Sequence, residues 1–127
     1  MNDVEFAHMV LKQIELRVFD TAVDPSAEEK IIYYKPGAQP LYRVWIYVDG
    51  PDLPFVESVT YRLHPTFEQP ERTVPRTISN PSCKLEIWTW GLFEVTAVVQ
   101  TKNEQRFELR HELTYDQQFA EAVSRKA

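Results

Sequence analysis

An all-β chain folded as an antiparallel sandwich is what three features of this sequence predict: segments that alternate apolar and polar residues with period two, prolines gathered between those segments, and no alternation of strand with helix. Successive side chains of a strand point to opposite faces, so a period of two marks a sheet with one face in the core. Proline has no N–H to give to a ladder, and the nine prolines fall mainly between the alternating runs. The 127 residues, 43% hydrophobic and 13% aromatic, suffice for one core, and a single domain over 1–127 is expected.

From the N-terminus, VLKQIELRVF sets Val10, Lys12, Ile14, Leu16 and Val18 on one parity and predicts a strand over about 10–19. Leu11 and Phe19 break that alternation, so a helix is the alternative there. YRVWIYVDGP turns Tyr42, Val44, Ile46 and Val48 inward against Arg43, Trp45, Tyr47 and Asp49, and Asp49-Gly50-Pro51 ends the run. VESVTYRL places Val59, Tyr61 and Leu63 inward. FEVTAVVQT does the same with Phe93, Val95, Ala97 and Val99, and RFELRHEL with Phe107, Leu109, His111 and Leu113, with a hairpin connection between them at 101–105. In the tail YDQQFAEAVSRK, Asp116 is placed to cap a short helix over about 117–126 that buries Phe119, Ala120 and Val123. Short strands between turn signals, with no βαβ unit and no repeat, favour an immunoglobulin-like sandwich with that helix at its end. A small closed barrel is the structural alternative.

Charge and composition exclude several functions. A formal net charge of −5 argues against affinity built on neutralising phosphates and suits a basic partner better, so neither nucleic acid nor membrane is expected to bind. One cysteine, Cys83, allows no internal disulfide, and no apolar run reaches signal-peptide or transmembrane length, which points to the cytoplasm. His8, His64 and His111 share no short ligand spacing, so no metal or other cofactor is expected. Ser58, Thr60, Thr66 and Cys83 lie in no nucleophile elbow, and the carboxylates are scattered along polar faces. A non-catalytic protein follows.

Two short segments stand out by their chemistry. LHPTF, residues 63–67, gathers an imidazole, a hydroxyl and an aromatic ring just past a strand end. TWGLF, residues 89–93, gathers a second aromatic and a glycine just before another strand. If the two loops meet at one end of the sandwich, Phe67 and Trp90 face each other around a flat group, and Gly91 leaves the backbone approachable. Trp88 is expected to face away from that slot, into the core or outward.

These residues carry a resemblance. Val48-Asp49-Gly50-Pro51, VTYRLHPTF with Pro70 and Arg72 after it, PSCKLEIWTWGLFEV and RFELRHEL follow one another in the order found in YEATS domains, immunoglobulin-fold modules known for reading acylated lysine. The segment Tyr42 to Leu113 resembles that family, and its prokaryotic branch in particular. The resemblance implies that an acyl-lysine enters between Phe67 and Trp90, that Thr66 gives a hydroxyl to the acyl amide, that the Trp90 backbone N–H donates to the acyl carbonyl, and that His64 lines the channel. It implies an acylated protein or peptide as partner.

Two departures from the family pattern bear on the site. Thr89 stands where the family has a glycine, so a β-branched side chain enters a place that should be open. The family's further aromatic, from the loop before the first matched strand, is replaced by Gly37-Ala38-Gln39-Pro40, leaving Tyr33, Tyr34 or Tyr42 as substitutes. The alternative function keeps the fold without the pocket: a protein–protein adaptor, as in a bacterial signalling or conflict system.

Overall fold

A computed structural model describes residues 11–127. They form nine strands: β1 (Arg17–Thr21), β2 (Ile31–Lys35), β3 (Leu41–Asp49), β4 (Val56–Arg62), β5 (Glu71–Pro75), β6 (Leu85–Thr89), β7 (Glu94–Thr101), β8 (Arg106–Glu112) and β9 (Val123–Lys126). Two sheets result, in an immunoglobulin-like sandwich. In the first, β3 pairs with β6 along one side and with β1 and then β2 along the other, and β9 joins β2. The second runs β5-β4-β7-β8, antiparallel throughout.

The alternation seen in the sequence becomes the core. Val44, Ile46 and Val48 of β3, Val59 and Tyr61 of β4, and Val95, Ala97 and Val99 of β7 are fully buried between the sheets. Each such Val or Ile contributes roughly 1.5–3 kcal/mol by leaving water. Tyr61 brings a polar atom into that core, and its hydroxyl donates to the Cys83 carbonyl at 2.6 Å, so nothing is left unsatisfied. Burial pushes the Cys83 thiol up to about 11.

Both ends differ from the sequence expectation. The strand expected over 10–19 is β1 at Arg17–Thr21; Val10 lies outside the described residues, and Leu16 and Val18 carry the buried parity. At the other end, the helix expected over 117–126 is a 3₁₀ helix at Tyr115–Glu121 followed by β9. Ala122 is already extended, and Val123, expected to be buried, is 55% exposed. There the backbone finds better partners in a sheet: β9 runs parallel to β2, with Val123 N–H donating to Lys30 at 2.8 Å and Ala127 N–H to Tyr34 at 2.8 Å.

Asp116 is not the cap either. Thr114 holds the capping position, and its hydroxyl donates instead to Asp20 at 3.2 Å. The buried Asp20 carboxylate also accepts the Thr114 N–H at 2.9 Å and meets His111 Nε2 at 2.6 Å, so His111 is a structural residue joining β8 to β1. Among the described residues no helix is long and apolar enough to cross a membrane, and no group of three or more His, Cys, Asp or Glu is placed to hold a metal; His8 lies outside them.

Candidate functional site

The first loop is shaped by its own backbone. Leu63, buried at the end of β4, donates its N–H to Pro70 at 2.7 Å, which closes the loop at its base. Within it, the Phe67 N–H donates to the His64 carbonyl at 3.1 Å, making a turn with Pro65 at the second position, where its fixed φ is favourable. That turn brings the His64 and Thr66 side chains together. Nδ1 of His64 accepts the Thr66 backbone N–H at 3.3 Å, so in the neutral ring this nitrogen carries no proton. The Thr66 hydroxyl, 2.9 Å from the same nitrogen, therefore donates to it and keeps its lone pairs for another donor.

The second loop leaves β6 after Thr89, which pairs with Tyr42 and is buried. Gly91 then takes a φ of +70°, a conformation that side-chain-bearing residues rarely adopt, and the loop enters β7 at Glu94. Trp90 is 55% exposed, and among the described residues no ring packs on it and no acceptor takes its backbone N–H. The Gly91 carbonyl is taken, by the Tyr115 hydroxyl at 2.6 Å. Burial pushes the Tyr115 phenol up to about 12, so it stays a protonated donor at neutral pH.

The two loops meet at one end of the sandwich. His64, Thr66 and Phe67 from one, and Thr89, Trp90 and Gly91 from the other, line a single cavity of about 460 Å³. Thr89, buried at the end of β6, forms part of that lining. Phe67 and Trp90 both line the cavity and are not in ring contact with each other. Phe67 is held by neighbours that also line the cavity, its ring 5.6 Å from that of Phe93 and 5.8 Å from the Arg72 guanidinium, whose Nε is anchored on the Gln69 carbonyl at 3.0 Å.

Sequence reasoning missed part of the lining. Phe93 was read as a core residue of its strand, yet it joins the cavity wall and sets its ring 6.0 Å from His64. Trp88 also reaches the cavity rather than facing away, because a residue two places from another shares its strand parity; Lys35 sits 4.2 Å over its ring. Neither Tyr33, Tyr34 nor Tyr42 lines the cavity. Tyr42 instead packs 4.5 Å from Phe119, outside the slot. The period of β6 carries a signal for Trp88; for Phe93 there is none beyond its place three residues after Trp90.

Comparison with known proteins agrees with this architecture. Among solved structures, the Yaf9 YEATS domain recognising a succinylated H3 peptide superposes with a TM-score of 0.52 at 21% identity, over 80% of this chain and 71% of that one. The crystal structure of the yeast AF-9 homolog protein Yaf9 gives a TM-score of 0.54 at 21% identity, over 80% and 67%. The Yaf9 YEATS domain in complex with an acetylated H3 peptide gives 0.52 at 21%, over 84% and 78%. Transcription initiation factor TFIID subunit 14 of Schizosaccharomyces pombe is 40% identical over 48 residues, a stretch that is 38% of this chain and only 18% of that protein. The family model for the prokaryotic YEATS domain matches residues 41–114, which takes in β3 to β8 and both loops of the cavity. With more than half of its length inside that match, the chain belongs to the prokaryotic YEATS domain family.

Proposed function

We propose that this protein is a non-catalytic recognition module that binds an acylated lysine, acetyl- or crotonyl-like, on a protein or peptide partner, in the cavity between the two loops. Trp90 carries the reading: an exposed indole plane without a ring partner and a backbone N–H without an acceptor, at a cavity that also holds Phe67 and the Thr66 hydroxyl. Acylation removes the ammonium charge of lysine and leaves a planar amide with one donor and one acceptor. Both must be paired once the amide leaves water. The Trp90 N–H suits the acyl carbonyl, and the lone pairs of the Thr66 hydroxyl suit the amide N–H.

His64 acts through Thr66 in this scheme. By accepting the hydroxyl proton it turns the oxygen towards an acceptor role, which is what an amide N–H requires. Phe67 and Trp90 supply apolar planes for the acyl group, with stacking that favours flat, conjugated chains. An unmodified lysine would shed the hydration of its ammonium to pass between apolar planes, and its exclusion rests on that cost, in a lining whose one carboxylate, Glu68, is accompanied by the Arg72 guanidinium. The acylated H3 peptides named with the Yaf9 structures support a peptide partner of this kind, and the net charge of −5 suits a basic one.

Calorimetric titration with peptides that differ only in one lysine, unmodified, acetylated or crotonylated, tests the reading. Saturable binding of the acylated peptides, at least tenfold tighter than any binding of the unmodified one, is expected. Equal binding of all three, or none by any, would favour the adaptor function instead.

A further inference from the structure

We infer that Tyr115 is a positioning residue for the slot: its hydroxyl, by holding the Gly91 carbonyl, fixes the loop that presents the Trp90 ring and N–H to the cavity. The inference rests on the acyl-lysine reading of that cavity. Tyr115 lies one residue beyond the segment matched to the family, 41–114, and does not line the cavity itself. It works from behind.

Little else holds this loop. Among the described residues, the bond from Tyr115 at 2.6 Å is the one hydrogen bond made to residues 90–92. Packing does not replace it, since Trp90 is 55% and Leu92 49% exposed, and a Cβ built on Gly91 would meet no atom within 4 Å. A glycine at positive φ with open space around it is free to move unless something takes its polar atoms.

The group that takes them is firmly mounted. The Tyr115 side chain is 2% exposed, with its ring 5.8 Å from Phe119 and 6.3 Å from Tyr42. Gln118 in the same 3₁₀ helix accepts the Ala22 N–H at 2.7 Å, and the following β9 is paired with β2. The loop is thus tied through one phenol to an element anchored on the first sheet.

Tyr115→Phe removes the hydroxyl and keeps the ring, and NMR relaxation of the free protein reads the loop directly. Order parameters of the Gly91 and Leu92 amides should fall from the rigid value of about 0.85 to below about 0.6, with β3 and β7 unchanged. An acetyl-lysine peptide should bind about tenfold more weakly, the loss expected for one buried hydrogen bond, and its advantage over the unmodified peptide should narrow. Phe119→Leu, which loosens the ring cluster but spares the hydroxyl, should lower the melting temperature without mobilising the loop. Unchanged order parameters in Tyr115→Phe, or a mobile loop with unchanged peptide affinity and selectivity, would overturn the inference. A mobile loop in a protein that binds no acyl peptide even as wild type would support the tie to Gly91 and overturn the acyl-lysine reading.

Discussion

Thr66 shows how one side chain acquires a direction. Its own backbone N–H fixes which His64 nitrogen accepts, and that choice decides which way the hydroxyl proton points. Thr66→Val keeps the shape and deletes the oxygen, so acyl-peptide affinity should fall about five- to tenfold, the worth of one net hydrogen bond. The melting temperature should hardly move, because the residue is exposed. Unaltered affinity in a calorimetric titration would remove Thr66 from the site. Cys83 gives a contrasting case: fully buried, with its thiol pushed up to about 11, it should resist alkylation at pH 8 in native protein and react on unfolding. LHPTF and TWGLF stand out in the sequence because they crowd polar and aromatic groups at strand ends, and the structure brings both to one cavity although Leu63, Phe67 and Phe93 also belong to or pack on the core. Phe93 does not stand out, since an inward aromatic looks the same whether it meets the core or a cavity, and the only sign of Trp88 is the strand parity it shares with Trp90.

At the scale of elements, two glycines do different work. Gly50 follows β3 with φ +148°, and a Cβ there would lie 2.6 Å from the Glu15 carbonyl oxygen, in a stretch where Glu15 N–H also donates to Asp52 at 2.7 Å. Gly91 has φ +70° and open space. Gly50→Ala should therefore cost about 2–4 kcal/mol, combining strain with a backbone clash, and Gly91→Ala only about 1 kcal/mol from strain. Thermal melts compare them directly, and the reverse order would refute this account of the Gly50 turn. The long alternating strands β3, β4, β7 and β8 were readable because one face of each is wet. IIYYK of β2 hides its period, since Ile31 and Ile32 are both buried. In β9 every residue is exposed, so no pattern records a strand that exists through backbone pairing with β2. The helix expected in the tail is present as the 3₁₀ turn Tyr115–Glu121, and its later part is strand because tertiary pairing with β2 outweighs propensity there.

For the whole molecule, three buried acids set the response to alkali. Burial raises the Tyr61 phenol, the Tyr115 phenol to about 12 and the Cys83 thiol to about 11, against ordinary values of 10.0 for tyrosine and 9.0 for the thiol. Between about pH 9 and pH 12 the unfolded chain releases these protons while the folded one retains them, so the unfolded state gains and stability falls as pH rises. Urea midpoints should decline steadily across that window, and a constant midpoint up to pH 11 would contradict the burial of these groups. The sandwich itself sets the geometry of recognition, because strand ends from both sheets converge and bring together loops more than twenty residues apart. Two-dimensional amide NMR during titration with an acetyl-lysine peptide tests that account most directly. The Trp90 amide should move downfield as it gains an acceptor, together with Thr66 and Phe67, while an unmodified peptide leaves all three in place. Shifts clustered elsewhere on the surface, or the same response to both peptides, would contradict it.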